Sequence, residues 1–143
     1  MGIKVSVPFK GLVMKIFTAF LFAFLLLSTF AATPAKPLRQ HGKVQIYHEA
    51  NVSGVRVKFV DLIEDSRCPT DTQCIWAGNA KIKVQLSKNG KSKVVEMNTG
   101  MEPRAIRFEG YEIKITKLTP QPASNIRIRK DGYVATFSVL RKR

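Results

Sequence analysis

From residue 43 onward the chain alternates between apolar and polar side chains with a period of two, the pattern of strands that bury one face. In one such segment Val55, Val57 and Phe59 share one side, and Arg56 and Lys58 share the other. The same alternation predicts strands at 43–50, 54–63, 80–87, 91–97, 104–110, 111–118, 125–129 and 132–140, with 104–110 the weakest.

The segments between these strands hold turn residues, and Asn89-Gly90 is a strong signal for a two-residue hairpin. No amphipathic segment is long enough to supply the crossover helices of a parallel sheet. We therefore expect an all-β fold, a single small antiparallel β-sandwich or β-barrel of about seven to eight strands with one disulfide-braced loop.

The N-terminus has the order of a secretory signal peptide. Lys4, Lys10 and Lys15 precede an uncharged stretch at 16–32 that ends in small residues. We expect a signal peptide over 1–31 with cleavage near Ala31, a flexible leader over 32–43 and a β domain over 44–143. Pro34 favours cleavage over an uncleaved membrane anchor. Cleavage leaves no transmembrane segment, and we expect a periplasmic or secreted protein.

The sequence is strongly basic, with a net charge of +14. Residues 1–31 hold three of the 24 basic residues and none of the ten acidic ones, so the remaining chain carries +11. This charge favours polyanionic partners and says nothing about the fold.

The segment DSRCPTDTQCIWAG, residues 65–78, holds both cysteines and the only tryptophan. In an exported chain the default for Cys68 and Cys74 is a disulfide. A reactive thiol pair usually has closer spacing, and a structural zinc site needs four ligands. Trp76 either seals the core over the disulfide or serves as a platform for a ligand.

Acidic residues concentrate around the loop, namely Asp61, Glu64, Asp65 and Asp71. We expect Asp65 to accept hydrogen bonds from loop amides, and Arg67 to pair with Asp65 or to stack on Trp76. A calcium site is an alternative, although the spacing matches no known calcium loop.

The pattern E-D-S-R-C-P, a short gap and C-x-W-A-G spans Glu64 to Gly78. It resembles a signature of small exported bacterial proteins and lipoproteins of unknown function. The resemblance implies export, a bridged loop and a small β domain, and it implies no activity.

Catalytic chemistry has little support in the sequence. The only histidines are His41, in the expected leader, and His48, at the end of a strand. No phosphate loop, zinc helix or serine elbow occurs. We expect neither catalysis nor a cofactor nor a metal, and a small hydrolase is the least favoured alternative.

Basic residues occupy the outward positions of several predicted strands, and a wall of them can bind lipopolysaccharide, anionic lipid or acidic polysaccharide. Nucleic acid is not an expected partner, because aromatic residues are sparse on that side. The candidate binding residues are Asp65, Arg67, Trp76, Lys81, Lys83, Lys114, Arg127 and Arg129.

We expect a non-catalytic binding or accessory module that contacts a polyanion or an envelope protein. The alternatives are a structural envelope protein and a protease inhibitor.

Overall fold

The structure is a computed structural model that describes Gly2 and residues 38–142. Apart from Gly2, the expected signal peptide (1–31) and the first part of the expected leader (32–37) lie outside the described residues. No helix in the described part of the chain is long and apolar enough to cross a membrane.

Eight strands make up most of the described chain. They are β1 (Gln40–Gln45), β2 (Glu49–Val52), β3 (Val55–Asp65), β4 (Ala80–Lys88), β5 (Lys91–Asn98), β6 (Ala105–Phe108), β7 (Tyr111–Thr119) and β8 (Val134–Arg141). A single 3-10 turn, Lys130–Gly132, precedes β8.

The strands form two antiparallel sheets of four strands each. Sheet I has the order β1-β8-β7-β6, and sheet II has the order β2-β3-β4-β5. The predicted all-β fold is therefore confirmed, in the form of a sandwich with one disulfide, Cys68–Cys74.

The core lies between the sheets and is built from the apolar positions that the alternation predicts. Val55, Val57 and Phe59 of β3 are fully buried, as are Phe137 and Val139 of β8. In β3 the side chains between them, Arg56 and Lys58, are exposed, so this strand has one buried face and one face in contact with solvent.

Three two-residue turns, each with positive φ at both positions, connect strands within the sheets. They are Ser53-Gly54, Asn89-Gly90 and Glu109-Gly110. Two left-handed residues suit a hairpin because they match the twist of the strands. The Asn-Gly hairpin is confirmed. The other two lack an Asn or Asp before the glycine, so their signal in the sequence is weaker.

The N-terminal strand differs from the prediction. β1 begins at Gln40, which pairs with Val139, so residues 40–43 belong to the sheet and not to a flexible leader. Tyr47 has a φ of 69° and ends the alternation there. At this point the chain passes from sheet I to sheet II. Hydrogen bonds from Tyr47 N to Phe59 O and from Phe59 N to His48 O connect the turn to β3.

The strand predicted at 125–129 does not form. This segment makes only an isolated bridge between Ala123 and Ile126, and Ile126 is exposed. It connects β7 to β8, and each of those strands already has a neighbour on both edges. The alternating Ile and Arg residues therefore cannot pair with either of the strands that flank them in sequence.

Candidate functional site: the disulfide-braced loop

The loop that connects β3 to β4, residues 66–79, extends the pairing of these strands before it opens. Ser66 N donates to Asn79 O at 2.7 Å, and Cys68 N donates to Ala77 O at 3.1 Å. The disulfide then closes the tip, with the Cα atoms of Cys68 and Cys74 6.0 Å apart. The loop is thus braced at its base by backbone bonds and at its tip by a covalent bond.

Gly78 allows the loop to return to β4. Its φ is +72°, and a Cβ there would collide with the backbone of Ser66. Gly100 packs against Gly78 in turn, with no room for a Cβ beside the Gly78 carbonyl oxygen. Because only glycine combines a left-handed φ with such close approach, the A-G of the motif is a geometric requirement.

Arg67 anchors the loop to the far end of sheet I. Its guanidinium donates two hydrogen bonds of 2.7 Å to the carboxylate of Asp65. It also donates to the carbonyl oxygens of Leu118 at 2.6 Å and Pro120 at 2.8 Å, and to Gln121 Oε1 at 3.0 Å. The expected pairing of Arg67 with Asp65 is confirmed. The alternative of stacking on Trp76 is wrong, because Arg67 is buried and Trp76 is exposed.

Asp65 lies at the centre of this cluster and also accepts a hydrogen bond of 3.1 Å from the Tyr133 hydroxyl. Burial by itself would raise the pKa of Asp65, but the hydrogen bonds and charge of Arg67 outweigh it and hold the pKa below the ordinary 3.8. Burial and the neighbouring Asp65 charge raise the pKa of Tyr133. Asp65 and Arg67 are therefore a satisfied structural pair with no donor or charge left for a ligand.

A second anchor holds the tip of the loop. The Asp71 carboxylate accepts hydrogen bonds from the backbone N and the hydroxyl of Ser124, at 2.9 and 3.0 Å. Thr70 N donates to Pro122 O, and the hydroxyls of Thr72 and Ser124 lie 2.8 Å apart. The hydrogen bonds from Ser124 lower the pKa of Asp71. The loop is therefore fixed to the β7–β8 connection at two separate points.

Trp76 points away from the core. It is 82% exposed, its neighbour Ile75 is 95% exposed, and Met101 on the β5–β6 connection is 57% exposed. Trp76 and Met101 line a shallow groove of about 440 Å³ together with Gly78 and Gly100. The core-sealing role considered for Trp76 is wrong. Tyr133 and the Arg67–Asp65 pair fill the space beneath the loop, and the indole is left outside.

The predicted basic residues do not come together. Lys81 and Lys83 lie on the outer face of sheet II, Lys114 lies on the outer face of sheet I, and Arg127 and Arg129 lie in the β7–β8 connection. Arg129 is also paired with Asp131 at 2.7 Å. The candidate residues therefore do not form a single positive wall, because they are divided between the outer faces of the two sheets and the β7–β8 connection.

On sheet II the basic residues face acidic ones across the strands. In the register Lys58 lies opposite Glu49, Lys81 lies opposite Glu64, and Lys83 lies between Asp61 and Glu96. Arg56 approaches Glu49 to 4.0 Å. Four cations and four carboxylates share this outer face, so it has no net charge to attract a polyanion.

Ile75 and Met101 are exposed apolar residues of the candidate site that were not among the residues predicted from the sequence. Ile75 directly precedes Trp76, and two adjacent large apolar residues in a polar loop are a usable signal. Met101 comes from a different connection, and only the fold places it beside Gly78. Among the described residues no group of three or more His, Cys, Asp or Glu side chains can hold a metal ion.

Comparisons of the chain with protein-family models, with curated proteins and with solved structures found no significant match.

Proposed function

We propose that this protein is an exported, non-catalytic binding module that docks the disulfide-braced loop into an apolar pocket of an envelope protein. The observation that carries the proposal is the exposure of Ile75 and Trp76 on a loop that is otherwise held rigidly. Trp76 also shares a groove with the exposed Met101, and exposed apolar side chains that adjoin one another mark interaction sites, whereas single ones need no explanation.

Rigidity strengthens this interpretation. The disulfide, the Arg67 hydrogen bonds and the Asp71–Ser124 contacts fix the loop before any partner arrives. A preorganised loop loses little conformational entropy on binding, and tryptophan is the residue most typical of binding hot spots. The anchors thus explain how a small loop can bind a partner without further ordering.

Export is the second part of the proposal. The disulfide Cys68–Cys74 is typical of oxidising compartments outside the cytoplasm. The sequence argument for a cleaved signal peptide rests on the basic residues near the N-terminus, the apolar stretch at 16–32 and the small residues before Thr33. A partner in the periplasm or at the cell surface follows from this location.

Photo-crosslinking in the producing cell tests the proposal. We would place p-benzoylphenylalanine at position 76 and, as a matched control, at Val94, which is 58% exposed on sheet II. The probe at position 76 should form a crosslink to one particular protein, and the probe at position 94 should not form a crosslink to that protein. With that protein purified, Trp76→Ala should raise the Kd about thirtyfold, as expected for a hot-spot residue, and Val94→Ala should leave it unchanged. Equal crosslinking at both positions, or an unchanged Kd for Trp76→Ala, would contradict the proposal.

A further inference from the structure

The outer face of sheet I carries four cations that form no salt bridge with another described residue. Lys43 of β1 and Lys117 of β7 lie opposite Thr136 of β8 from its two sides. Their Cα atoms are therefore two strand spacings, or roughly 10 Å, apart. Lys114 follows beside Ser138, and Arg107 of β6 lies opposite Glu112. These four cations form a diagonal row across the sheet.

Glu112 is the one acidic residue on this face in the described part of the chain. Its carboxylate is bonded to Lys142 at 3.3 Å, so it does not neutralise the row. Sheet II carries equal numbers of cations and carboxylates on its outer face. The two sheets of the sandwich therefore differ sharply in surface charge, although both contain many lysines.

The row continues into a groove at the end of β1. The Gln45 side chain, on the same side of β1 as Lys43, donates to the backbone oxygen of Asp131 at 3.1 Å. This contact joins β1 to a groove of about 480 Å³ lined by Tyr47, Arg127, Lys130 and the ion pair of Arg129 with Asp131. Tyr47 is half exposed and has a φ of 69°, a backbone strain that is frequent at functional sites.

We propose that these residues form a binding track for a linear acidic polysaccharide, separate from the disulfide-braced loop. The track comprises Lys43, Arg107, Lys114, Lys117, Arg127 and Lys130. None of the six forms a salt bridge with another described residue. Four cations across one sheet face and two in the adjoining groove suit a chain of repeating negative charges, and the tyrosine in the groove can pack on a sugar ring.

A polysaccharide fits the track better than a membrane or a nucleic acid does. Val134 and Leu140 on this face are half-buried, and the sheet offers no large exposed apolar side chain to insert into lipid. Tyr47 is the only exposed aromatic residue on the track, whereas single-stranded nucleic acid is usually bound by several stacking rings.

Heparin binding, measured against salt concentration, tests the track. Two double variants each remove two charges, one pair from the sheet face, Lys43→Gln with Lys117→Gln, and one pair from the groove, Arg127→Gln with Lys130→Gln. Each should weaken heparin binding roughly thirtyfold at about 0.1 M salt, since one cation near an anionic surface contributes about fivefold. Lys43→Arg with Lys117→Arg should bind like the natural sequence, because the charges remain.

The matched control is Lys58→Gln with Lys83→Gln on sheet II, which removes the same net charge. It should change heparin binding by no more than about threefold, because these lysines lie on the opposite sheet and salt screens them. Equal weakening by the three double variants that remove charge, the sheet II control included, would overturn the track, since binding would then follow net charge alone. Stronger binding to phosphatidylglycerol vesicles than to heparin would overturn the choice of polysaccharide. Trp76→Ala should leave heparin binding unchanged, so the two proposals can fail separately.

Discussion

Arg67 and Asp65 show why a motif that looks like a ligand site is a structural clamp. Their side chains are almost fully buried, at 6% and 10% exposure, and the guanidinium also satisfies three acceptors, one at the end of β7 and two in the β7–β8 connection. A buried ion pair contributes little net stability, but the loss of one partner leaves the other charge without compensation.

Arg67→Ala should therefore be strongly destabilising. We expect it to lower the free energy of unfolding by about 3 kcal/mol or more, measured by urea denaturation. Arg56→Ala removes an exposed arginine that only approaches Glu49 and should cost less than about 0.5 kcal/mol. The double variant Asp65→Ala with Arg67→Ala should cost less than the sum of its single changes. Additive costs would contradict the clamp.

Acid should destabilise the fold through Asp65 and Asp71. Both have a pKa below the ordinary 3.8, so their stabilising contribution is complete above that pH and is lost as the pH falls through the lowered values. The urea midpoint should thus decline below about pH 4. Asp65→Asn should give a less stable protein with a flatter decline. An equally steep decline in Asp65→Asn would show that this carboxylate does not titrate as described.

At the scale of elements, the loop is held in place by the disulfide and by two groups of hydrogen bonds, one at Arg67 and one at Asp71. Five residues separate the cysteines, so the closed ring is small and its restriction of the unfolded chain is modest. The anchors at Arg67 and Asp71 do not depend on the covalent bond.

Replacement of both Cys68 and Cys74 by Ala should lower the free energy of unfolding by about 2 kcal/mol and leave the protein folded. Thermal unfolding followed by circular dichroism would measure this. The natural protein in dithiothreitol serves as the control and should behave like the variant. Complete unfolding in reductant would mean that the anchors contribute far less than the structure indicates.

Period-two alternation was sufficient to predict most strands, because a strand with one buried face must alternate. It predicted β3, β4, β7 and β8, but within β7 a bulge after Ile115 turns Leu118 into the core against the alternation. It failed at 125–129, where the alternation is present but both flanking strands, β7 and β8, are already paired on both edges. Whether an alternating segment becomes a strand depends on the topology, which the local pattern does not contain.

At the scale of the whole molecule, the candidate surfaces depend on which strands are neighbours. The sequence shows outward lysines on many strands, but only the pairing of β1, β8, β7 and β6 separates a charged face from a balanced one. Likewise, the exposure of Trp76 follows from contacts between Arg67 and residues more than 50 positions away. Such long-range contacts leave no local signal.

The fluorescence of Trp76 tests the central claim most directly, because it is the only tryptophan in the chain. Acrylamide quenching of the folded protein should be nearly as efficient as quenching in urea, since the indole is exposed. The anisotropy of the folded protein should decay mainly with overall tumbling, since the loop is rigid. A blue-shifted emission protected from acrylamide would contradict the exposed position of Trp76, and a fast, large-amplitude anisotropy decay would contradict the rigid loop.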